Sequence, residues 1–524
     1  MNYSKLLMGG ILFIFSLIFI SCDDKIDPIP MPTGSSSIFN LASVSNPGIS
    51  GKAEFIENDD NTTTINLMLS GTSSGAMHPA HIHLNTAAEG GDIALTLGTV
   101  MGGTGMSSVT VSTLDDGTPI SYSQLINFDG YINVHASSSD LVTLVAQGDI
   151  GENVLTGESK TYNLGTVAVP GISGTATFSK RINDETLVKI MLTGTPDGEM
   201  HPGHIHFNTS AEGGAIAVSF TPVNGSTGMS VTNISSLDDN TQITYDELLE
   251  FDGYINIHLS ADELGTLVAQ GDIGENELTG EEKSFVLGEK DVDGISGTAT
   301  FKERMNGEAL AILELMNTPD NGIHPAHIHA NTANEGGGIL FTFNPVNGMT
   351  GMSQTNFSML DDGMMVGYED IMDFDGYINV HLSAEELGTL VAQGDIGQNE
   401  LTGESKTYVL AEKDVPGING TATFKERANG STLAILEVQN TIVGSSHPVH
   451  IHENTADMGG GFKFTFNPVN GTTGMSMTNI VALDDMTAIT FDGLLEFNGY
   501  INVHLSMDEL GVVVAQGNIG SNSN

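Results

Sequence analysis

The sequence predicts an all-β protein made of four tandem β-sandwich domains of the Greek-key or immunoglobulin-like kind, each about 123 residues long. Three observations predict this fold class. The same motifs recur four times at one spacing, short apolar segments alternate with turn residues, and the chain contains 64 glycines. Glycine at this frequency favours short strands joined by turns over long helices.

The internal repeat sets the domain organisation. The motif HPxHIH begins at His78 and returns every 123 residues, and the motif YIN[VI]H, which first ends at His135, returns with the same step. A period of this length matches a self-contained domain, because solenoid repeats run to only about 20–50 residues. The predicted domains are residues 46–168, 169–291, 292–414 and 415–520.

Within a repeat, the apolar segments predict seven or eight strands. In the second copy they lie at 174–178, 187–192, 215–218, 254–257 and 267–269. Segments of this length bounded by glycine and other turn residues are typical of a β-sandwich. A short helical turn is expected at 260–264, where Ser260 precedes two acidic residues in the manner of a helix N-cap.

The first 45 residues predict export and anchoring. Lys5 precedes an apolar run from Leu6 to Ile20, and Cys22 follows a small residue, as in a bacterial lipobox. We therefore expect residues 1–22 to form a lipoprotein signal peptide with Cys22 as the lipidated residue, and 23–45 to form a flexible, proline-containing stem. The expected location is the outer membrane, facing the cell surface, with the periplasmic face as the alternative.

The charge balance narrows the possible partners. Sixteen basic residues stand against 65 acidic ones, which gives a formal net charge of −49. Such a surface repels phosphate backbones, which argues against nucleic-acid binding, and it attracts cations. Because Cys22 is the only cysteine, an intramolecular disulfide is impossible.

The histidines point to a metal site in every repeat. The chain has 16 of them, and the two motifs account for all 16. Side chains alternate along a strand, so His81 and His83 share one face of theirs, and Tyr131, Asn133 and His135 share one face of another. Two such strands can bring three rings around one ion, and neutral imidazole suits Cu(II) or Zn(II) better than Mg²⁺ or Ca²⁺. The alternative is that these histidines only hydrogen-bond loops to one another.

The expected ligands recur in each copy, with copper as the first choice of metal, zinc as the alternative, and about one ion per repeat. The triads are His81, His83 and His135; His204, His206 and His258; His327, His329 and His381; and His450, His452 and His504. The histidines that open each motif are expected either as fourth ligands or as hydrogen-bond partners of the ligands: His78, His201, His324 and His447. Methionines of the repeated TGMS motif are possible axial ligands, because thioether sulfur is soft: Met106, Met229, Met352 and Met475.

Two families share these motifs. The HPAHIH segment followed by EGG, the opening ISGxAxF strand and the closing LVAQGDIG resemble the CHRD (chordin-type) domain over nearly the whole of each repeat. The His-x-x-His-x-His strand and the later histidine are similar to the copper site of Cu,Zn superoxide dismutase, an eight-stranded Greek-key sandwich. That resemblance implies copper ligands at the twelve triad positions.

Departures from the dismutase pattern argue against catalysis. No histidines remain for a bridging position or a zinc site, and the only arginines, Arg181, Arg304 and Arg427, lie early in three repeats. Superoxide is an anion, so a chain of charge −49 without a guiding arginine repels it. No catalytic residue is identified. A copper-dependent, dismutase-like enzyme is therefore the third functional hypothesis, after the two given below.

Other repeated residues are expected in loops. Glu89 has counterparts in two later repeats but not in the fourth, and the pair Asp115–Asp116 is typical of turns and caps. Asn85 is expected to bond either a ligand histidine or its own loop.

Two functions follow as leading hypotheses. The first is a lipid-anchored surface protein whose modules bind metal for sequestration, storage or delivery. The second is a structural or adhesive surface array with structural histidines and an unknown surface or extracellular protein or glycan as partner.

Overall fold

The computed structural model describes residues 30–45 and 48–523 and confirms an all-β fold of four repeated modules. The chain divides into two compact units. The first comprises the described residues up to Thr156 together with Arg181–Asn183, and the second comprises Gly157–Lys180 and the residues from Asp184 onward.

The first repeat forms a closed barrel of eight strands. They are β1 (Pro32–Ser43), β2 (Ser50–Asn58), β3 (Thr63–Ser70), β4 (Met77–Leu84), β5 (Ile93–Met101), β6 (Met106–Val111), β7 (Gly130–Ser137) and β8 (Asp140–Ile150), with α1 (Tyr122–Leu125) before β7 and a 3₁₀ turn (Gly151–Asn153) after β8.

The other repeats have the same elements at the same spacing. The second contains β9 (Leu155–Thr166), β10 (Ser173–Arg181), β11 (Thr186–Thr193), β12 (Met200–His201), β13 (Gly203–Phe207), β14 (Ile216–Ser219), β15 (Val223–Asn224), β16 (Met229–Ile234), α2 (Tyr245–Leu249), β17 (Asp252–His258) and β18 (Leu267–Gly274). The third contains β19 (Leu278–Glu289), β20 (Ser296–Arg304), β21 (Ala309–Met316), β22 (Ile323–Ala330), β23 (Ile339–Asn347), β24 (Met352–Phe357), a 3₁₀ turn (Glu369–Ile371), β25 (Asp375–His381) and β26 (Leu390–Gly397). The fourth contains β27 (Leu401–Glu412), β28 (Asn419–Arg427), β29 (Thr432–Gln439), β30 (Ser446–His447), β31 (Val449–Glu453), β32 (Phe462–Thr465), β33 (Val469–Asn470), β34 (Met475–Ile480), α3 (Phe491–Leu495), β35 (Asn498–His504) and β36 (Val513–Gly520).

The strand order is a Greek key. In the first barrel the neighbours run β1-β2-β3-β6-β5-β4-β7-β8, so β7 returns to lie beside β4 after the β4–β5–β6 meander. The third repeat closes in the same order. In the second and fourth repeats the counterparts of β4 and β5 each break into two short strands, and the neighbour order is retained.

Alternation of side chains builds one core inside each barrel. Along β3, Ile65, Leu67 and Leu69 are buried while the residues between them face outward. The four repeats have four separate clusters of buried hydrophobic residues, with a fully buried phenylalanine at the same place in each. These are Phe55, Phe178, Phe301 and Phe424.

Two predictions of local structure are wrong. Residues 260–264 form turns, and the helix of that repeat is α2, where Thr244 and Glu247 make a capping box. The predicted stem, 23–45, includes β1, which pairs with β2 and buries Phe39 and Leu41 in the core. Its prolines suggested a flexible linker, but its apolar residues alternate as in a strand.

The same observation shifts the domain boundaries. The counterparts of β1 are β9, β19 and β27, which start at 123-residue steps from Pro32, and each belongs to the barrel of the repeat that follows it. The predicted boundaries assigned these strands to the preceding repeat. The barrels therefore begin about 14 residues upstream of the predicted domains.

The predicted signal sequence and Cys22 lie outside the described residues. Within the described ranges, no helix has the length and apolar character needed to cross a membrane.

Within the second unit, a buried arginine joins consecutive barrels. Arg304, at the end of β20, donates from Nη1 to Asp272 Oδ2 (2.7 Å) and to the backbone oxygen of Asn276 (2.6 Å). Arg427 makes the same contacts with Asp395 and the Asn399 carbonyl. The arginine side chains are fully buried, so each needs the neighbouring aspartate to neutralise its charge at the junction between barrels.

The first and fourth repeats each lack one residue of this ion pair. The position of Arg304 is occupied by Asn58 in the first repeat, and the position of Asp272 is occupied by Asn518 in the fourth. Asn518 Oδ1 still accepts a hydrogen bond from the Ala456 N–H (2.9 Å), as Asp395 accepts one from Ala333 (2.7 Å). Asparagine therefore retains the loop contact that the aspartate makes in the third repeat.

Replacing Arg304 with alanine is expected to destabilise the second and third barrels by about 3–5 kcal/mol, because Asp272 keeps a partly buried charge without a partner. Hydrogen exchange of the β18 and β20 amides in the full-length protein measures this, and β35 amides serve as the internal control. Adding Asp272→Asn, which imitates Asn518, is expected to recover part of the loss. Unchanged protection of β18 in the single variant would contradict the role of the ion pair.

Candidate metal centre

Two neighbouring strands place the three histidines of each predicted triad. In the first repeat β4 pairs with β7, and the register sets His81 opposite Asn133 and His83 opposite Tyr131. Ala80 and Ile82 of β4 are buried in the core, so His81 and His83, which alternate with them along the strand, face outward.

The rings converge in all four repeats. In each triad one nitrogen from every histidine lies within 4.8 Å of the other two, so each triad could hold a metal ion. The contact between His81 Nδ1 and His135 Nε2 is 3.1 Å, and its counterparts in the second and third repeats have the same length. Two nitrogen ligands at about 2.0–2.1 Å from a tetrahedral ion lie roughly 3.3 Å apart, so this spacing fits two ligands of one ion.

Backbone carbonyls orient two of the three rings. His83 Nδ1 donates to the Gly91 carbonyl (2.9 Å), and His135 Nδ1 donates to the Leu141 carbonyl (2.7 Å). With the proton on Nδ1, each ring has its Nε2 lone pair available as a ligand. The carbonyl partners of the other repeats are Gly214 and Leu264, Gly337 and Leu387, and Gly460 and Leu510.

In each repeat one of these lone pairs is buried and has no hydrogen-bond partner. The buried Nε2 atoms of His83, His206 and His329 have no hydrogen-bond partner, and neither does that of His504 in the fourth repeat. A buried, unpartnered acceptor is costly unless something binds it. Three converging imidazole nitrogens, one of them buried and without a partner in each repeat, match a three-histidine metal site with an open position.

Burial favours the neutral form of two of the three rings. It lowers the pKa of His81 below 6.5, and the neighbouring His135 and His83 lower it further, because two adjacent imidazolium ions repel each other. Burial also lowers the pKa of His135, which its bond to the Leu141 carbonyl partly offsets. Neutral imidazole is the form that binds metal.

Neighbouring residues support the triad. Tyr131 stacks on His83, with ring centroids 5.1 Å apart and planes at 21°. Asp115 accepts two hydrogen bonds from Thr96, which lies opposite His81 on β5. The tyrosine and the first aspartate recur in every copy, so the 123-residue step was a signal that could have assigned both to the site. The tyrosines are Tyr131, Tyr254, Tyr377 and Tyr500, and the aspartates are Asp115, Asp238, Asp361 and Asp484.

The leading histidines, expected as fourth ligands or as hydrogen-bond partners of the ligands, lie outside the triads. His78 is buried on the core side of β4. It lies three positions before His81, and residues an odd number of positions apart in a strand point to opposite faces. His78 Nδ1 contacts the backbone oxygen of His135 at 3.0 Å. The same contact is made by His201 with His258, by His324 with His381 and by His447 with His504.

The repeated methionines also lie away from the triads, which contradicts their expected role as axial ligands. Met106 pairs with Met101 at the tip of the β5–β6 hairpin, whereas His81 is opposite Thr96. Five residues of β5 at about 3.3 Å each put roughly 17 Å between those two levels. Met229, Met352 and Met475 begin the counterpart strands β16, β24 and β34.

The remaining repeated residues shape loops. Glu89 accepts hydrogen bonds from Thr86, and Asp116 accepts one from the Thr118 N–H, as expected for turns. Asn85 has φ of 65° and donates from its side chain to the Gly90 carbonyl, so it bonds the loop and not a ligand histidine. Arg304 and Arg427 are used at the barrel junctions.

Comparison with known proteins adds no family assignment. The chain matches no protein-family profile, no curated protein and no solved structure.

Acidification is expected to destabilise the metal-free protein. Burial lowers the folded-state pKa of His204 and His258 below 6.5. Their contribution to stability is present above about pH 6.5 and is lost as the pH falls through the lowered pKa values, because the unfolded chain then binds more protons. The thermal midpoint in a chelator should fall between about pH 7 and 5, and His204→Gln should make this dependence shallower. A midpoint that rises over this range would contradict the prediction.

Proposed function

We propose that this protein binds transition-metal ions at its four histidine triads, with copper as the physiological metal and zinc as the alternative. The observation that carries the proposal is the fourfold recurrence of one arrangement, in which backbone carbonyls take Nδ1 of two rings and leave their Nε2 atoms facing the third ring. Residues that were needed only to connect loops would not require three ring nitrogens to converge in each copy.

Copper is favoured by ligand chemistry. A site made of imidazoles binds divalent ions in the order that places Cu(II) above Zn(II). The resemblance of the His-x-x-His-x-His strand to the dismutase copper site supports the same choice. The net charge of −49 favours the approach of cations to the surface.

Binding is proposed in preference to dismutation. Two of the three arginines are buried between barrels and paired with aspartates, so they are not available to guide an anion to a triad. The overall charge repels superoxide. Sequestration, storage or delivery of metal therefore fits the chain better than catalysis on an anionic substrate.

The full-length protein is expected to bind about four Cu(II) ions and to lose one when His206 is replaced by alanine. Elemental analysis after removal of free metal gives the stoichiometry, and the nitrogen splitting of the Cu(II) electron paramagnetic resonance spectrum reports the imidazoles. Tyr254→Phe keeps the ring stacked on His206 and is expected to retain all four ions.

Fewer than one bound ion per chain after loading with copper or zinc would refute metal binding. That result would favour the second candidate, a structural or adhesive array with a surface or extracellular protein or glycan as partner. The observation that favours this candidate is the buried arginine–aspartate pair that joins successive barrels.

The array is proposed to be held at the outer membrane by a lipid on Cys22, on the cell surface or else on the periplasmic face. The lipobox-like sequence before Cys22 supports this anchor, and the resemblance to CHRD domains of bacterial exported proteins supports export.

Replacing Cys22 with alanine is expected to abolish incorporation of radiolabelled fatty acid and to release the protein from the membrane fraction in a bacterial host. Cys22 is the only thiol, so labelling that persists in the variant would contradict this anchor. Protease shaving of intact cells then distinguishes the two membrane faces.

A further inference from the structure

We propose a second metal site on the first barrel, a row of four methionines that binds a soft monovalent ion, Cu(I). The row is defined by Met68, Met106, Met101 and Met77, which lie on the adjacent strands β3, β6, β5 and β4. This site shares no residue with the histidine triads and does not depend on their function.

The strand register puts the four side chains side by side. Met68 is the cross-strand partner of Met106, Met106 of Met101, and Met101 of Met77. Residues directly opposite each other on neighbouring strands point to the same face, with Cβ atoms about 4.5–5.5 Å apart. The flexible methionine side chain has three rotatable bonds, so adjacent sulfurs in such a row can reach one ion.

All four side chains are on the outer face of the barrel. Their neighbours along the strands, Leu67, Leu69 and Val100, are buried in the core. Met77, Met101 and Met106 are 53%, 50% and 51% exposed, so none of them is needed to fill the core. Three exposed methionines in register with the half-buried Met68 are unusual for a surface, because an exposed apolar side chain gains little from burial.

The thioether sulfurs of the row determine which class of metal ion would bind there. Thioether sulfur is a soft, neutral ligand that selects Cu(I), whereas imidazole suits Cu(II) and zinc. The first barrel would thus carry two sites for the two oxidation states of one metal. Lys52 is the cross-strand partner of Met68 at one end of the row, and its charge opposes a cation there.

The other repeats show that the row is not a requirement of the fold. At the four positions, in the order of Met68, Met106, Met101 and Met77, the second repeat has Met191, Met229, Asn224 and Met200; the third has Glu314, Met352, Asn347 and Ile323; and the fourth has Glu437, Met475, Asn470 and Ser446. The complete row occurs only in the first barrel, and the second has three of the four methionines. We therefore expect Cu(I) to bind the first barrel most tightly.

The test compares two full-length variants with the same number of substitutions. The row variant carries Met68→Leu, Met77→Leu, Met101→Leu and Met106→Leu, which preserve volume and apolar character. The control variant changes four exposed methionines that do not belong to the row: Met349, Met364, Met365 and Met486, each to leucine. Cu(I) is added without oxygen in competition with bicinchoninate, and X-ray absorption reports sulfur ligands.

The row variant is expected to lose one Cu(I) ion and most of its sulfur scattering, while the control variant retains both. Cu(II) binding should stay the same in both variants, because the triads are intact. Equal Cu(I) binding by the row variant and the unmodified protein would overturn the proposal, and so would an equal loss in the control variant. If the fourfold variant unfolds, the double variant Met101→Leu and Met106→Leu is a milder test. It is expected to weaken Cu(I) binding at least tenfold. Unchanged Cu(I) binding in the double variant would also overturn the proposal.

A third variant tests the position of the ion. Lys52→Thr introduces the residue that the second repeat has at this place, Thr175. Removing one positive charge beside the row is expected to raise Cu(I) affinity about threefold at low ionic strength, with a smaller gain at high salt. An unchanged affinity at low salt would contradict binding beside Met68.

Discussion

The antiparallel register between β4 and β7 is the constraint on which the candidate metal centre depends. It sets His81 opposite Asn133 and leaves Ile82 facing Ile132 inside the barrel. A slip of one residue would bring the imidazoles into the core and the isoleucines into solvent, because successive side chains point to opposite faces. The burial of the apolar residues thus holds the histidines in place, and it does so in four barrels with four separate cores.

The histidine triad and the junction between barrels share one loop. In the third repeat the Gly337 carbonyl accepts a hydrogen bond from His329 Nδ1. The Ala333 N–H in the same loop donates to Asp395, which pairs with Arg427 of the next barrel. The loop that orients a ligand ring is therefore tied to the ion pair that joins two barrels. In the fourth repeat Asn518 replaces the aspartate and keeps the loop contact, so the loop beside that triad retains its support without a carboxylate.

Two groups of candidate ligands lie in different parts of the first barrel. The triad brings three histidine nitrogens together across β4 and β7, whereas the proposed methionine row places sulfur on the outer face beside the β5–β6 hairpin. The triads recur in every copy, but the row is complete only in the first, where Met101 and Met77 replace the asparagine and the varied residues of later repeats. The four copies thus share one arrangement of histidines and differ at the outer surface of the barrel.

By itself the sequence determined the all-β fold class, the fourfold repeat and the membership of the triads, because a period of 123 residues and a side-chain period of two are both properties of the linear chain. It left open which strands close each barrel, so β1 was mistaken for a stem until its pairing with β2 placed Phe39 in the core. The partners of Arg304, the face of His78 and the neighbours of Met106 were likewise decided by the tertiary structure. Each depends on contacts between strands that are distant in sequence, and local pattern does not specify such contacts.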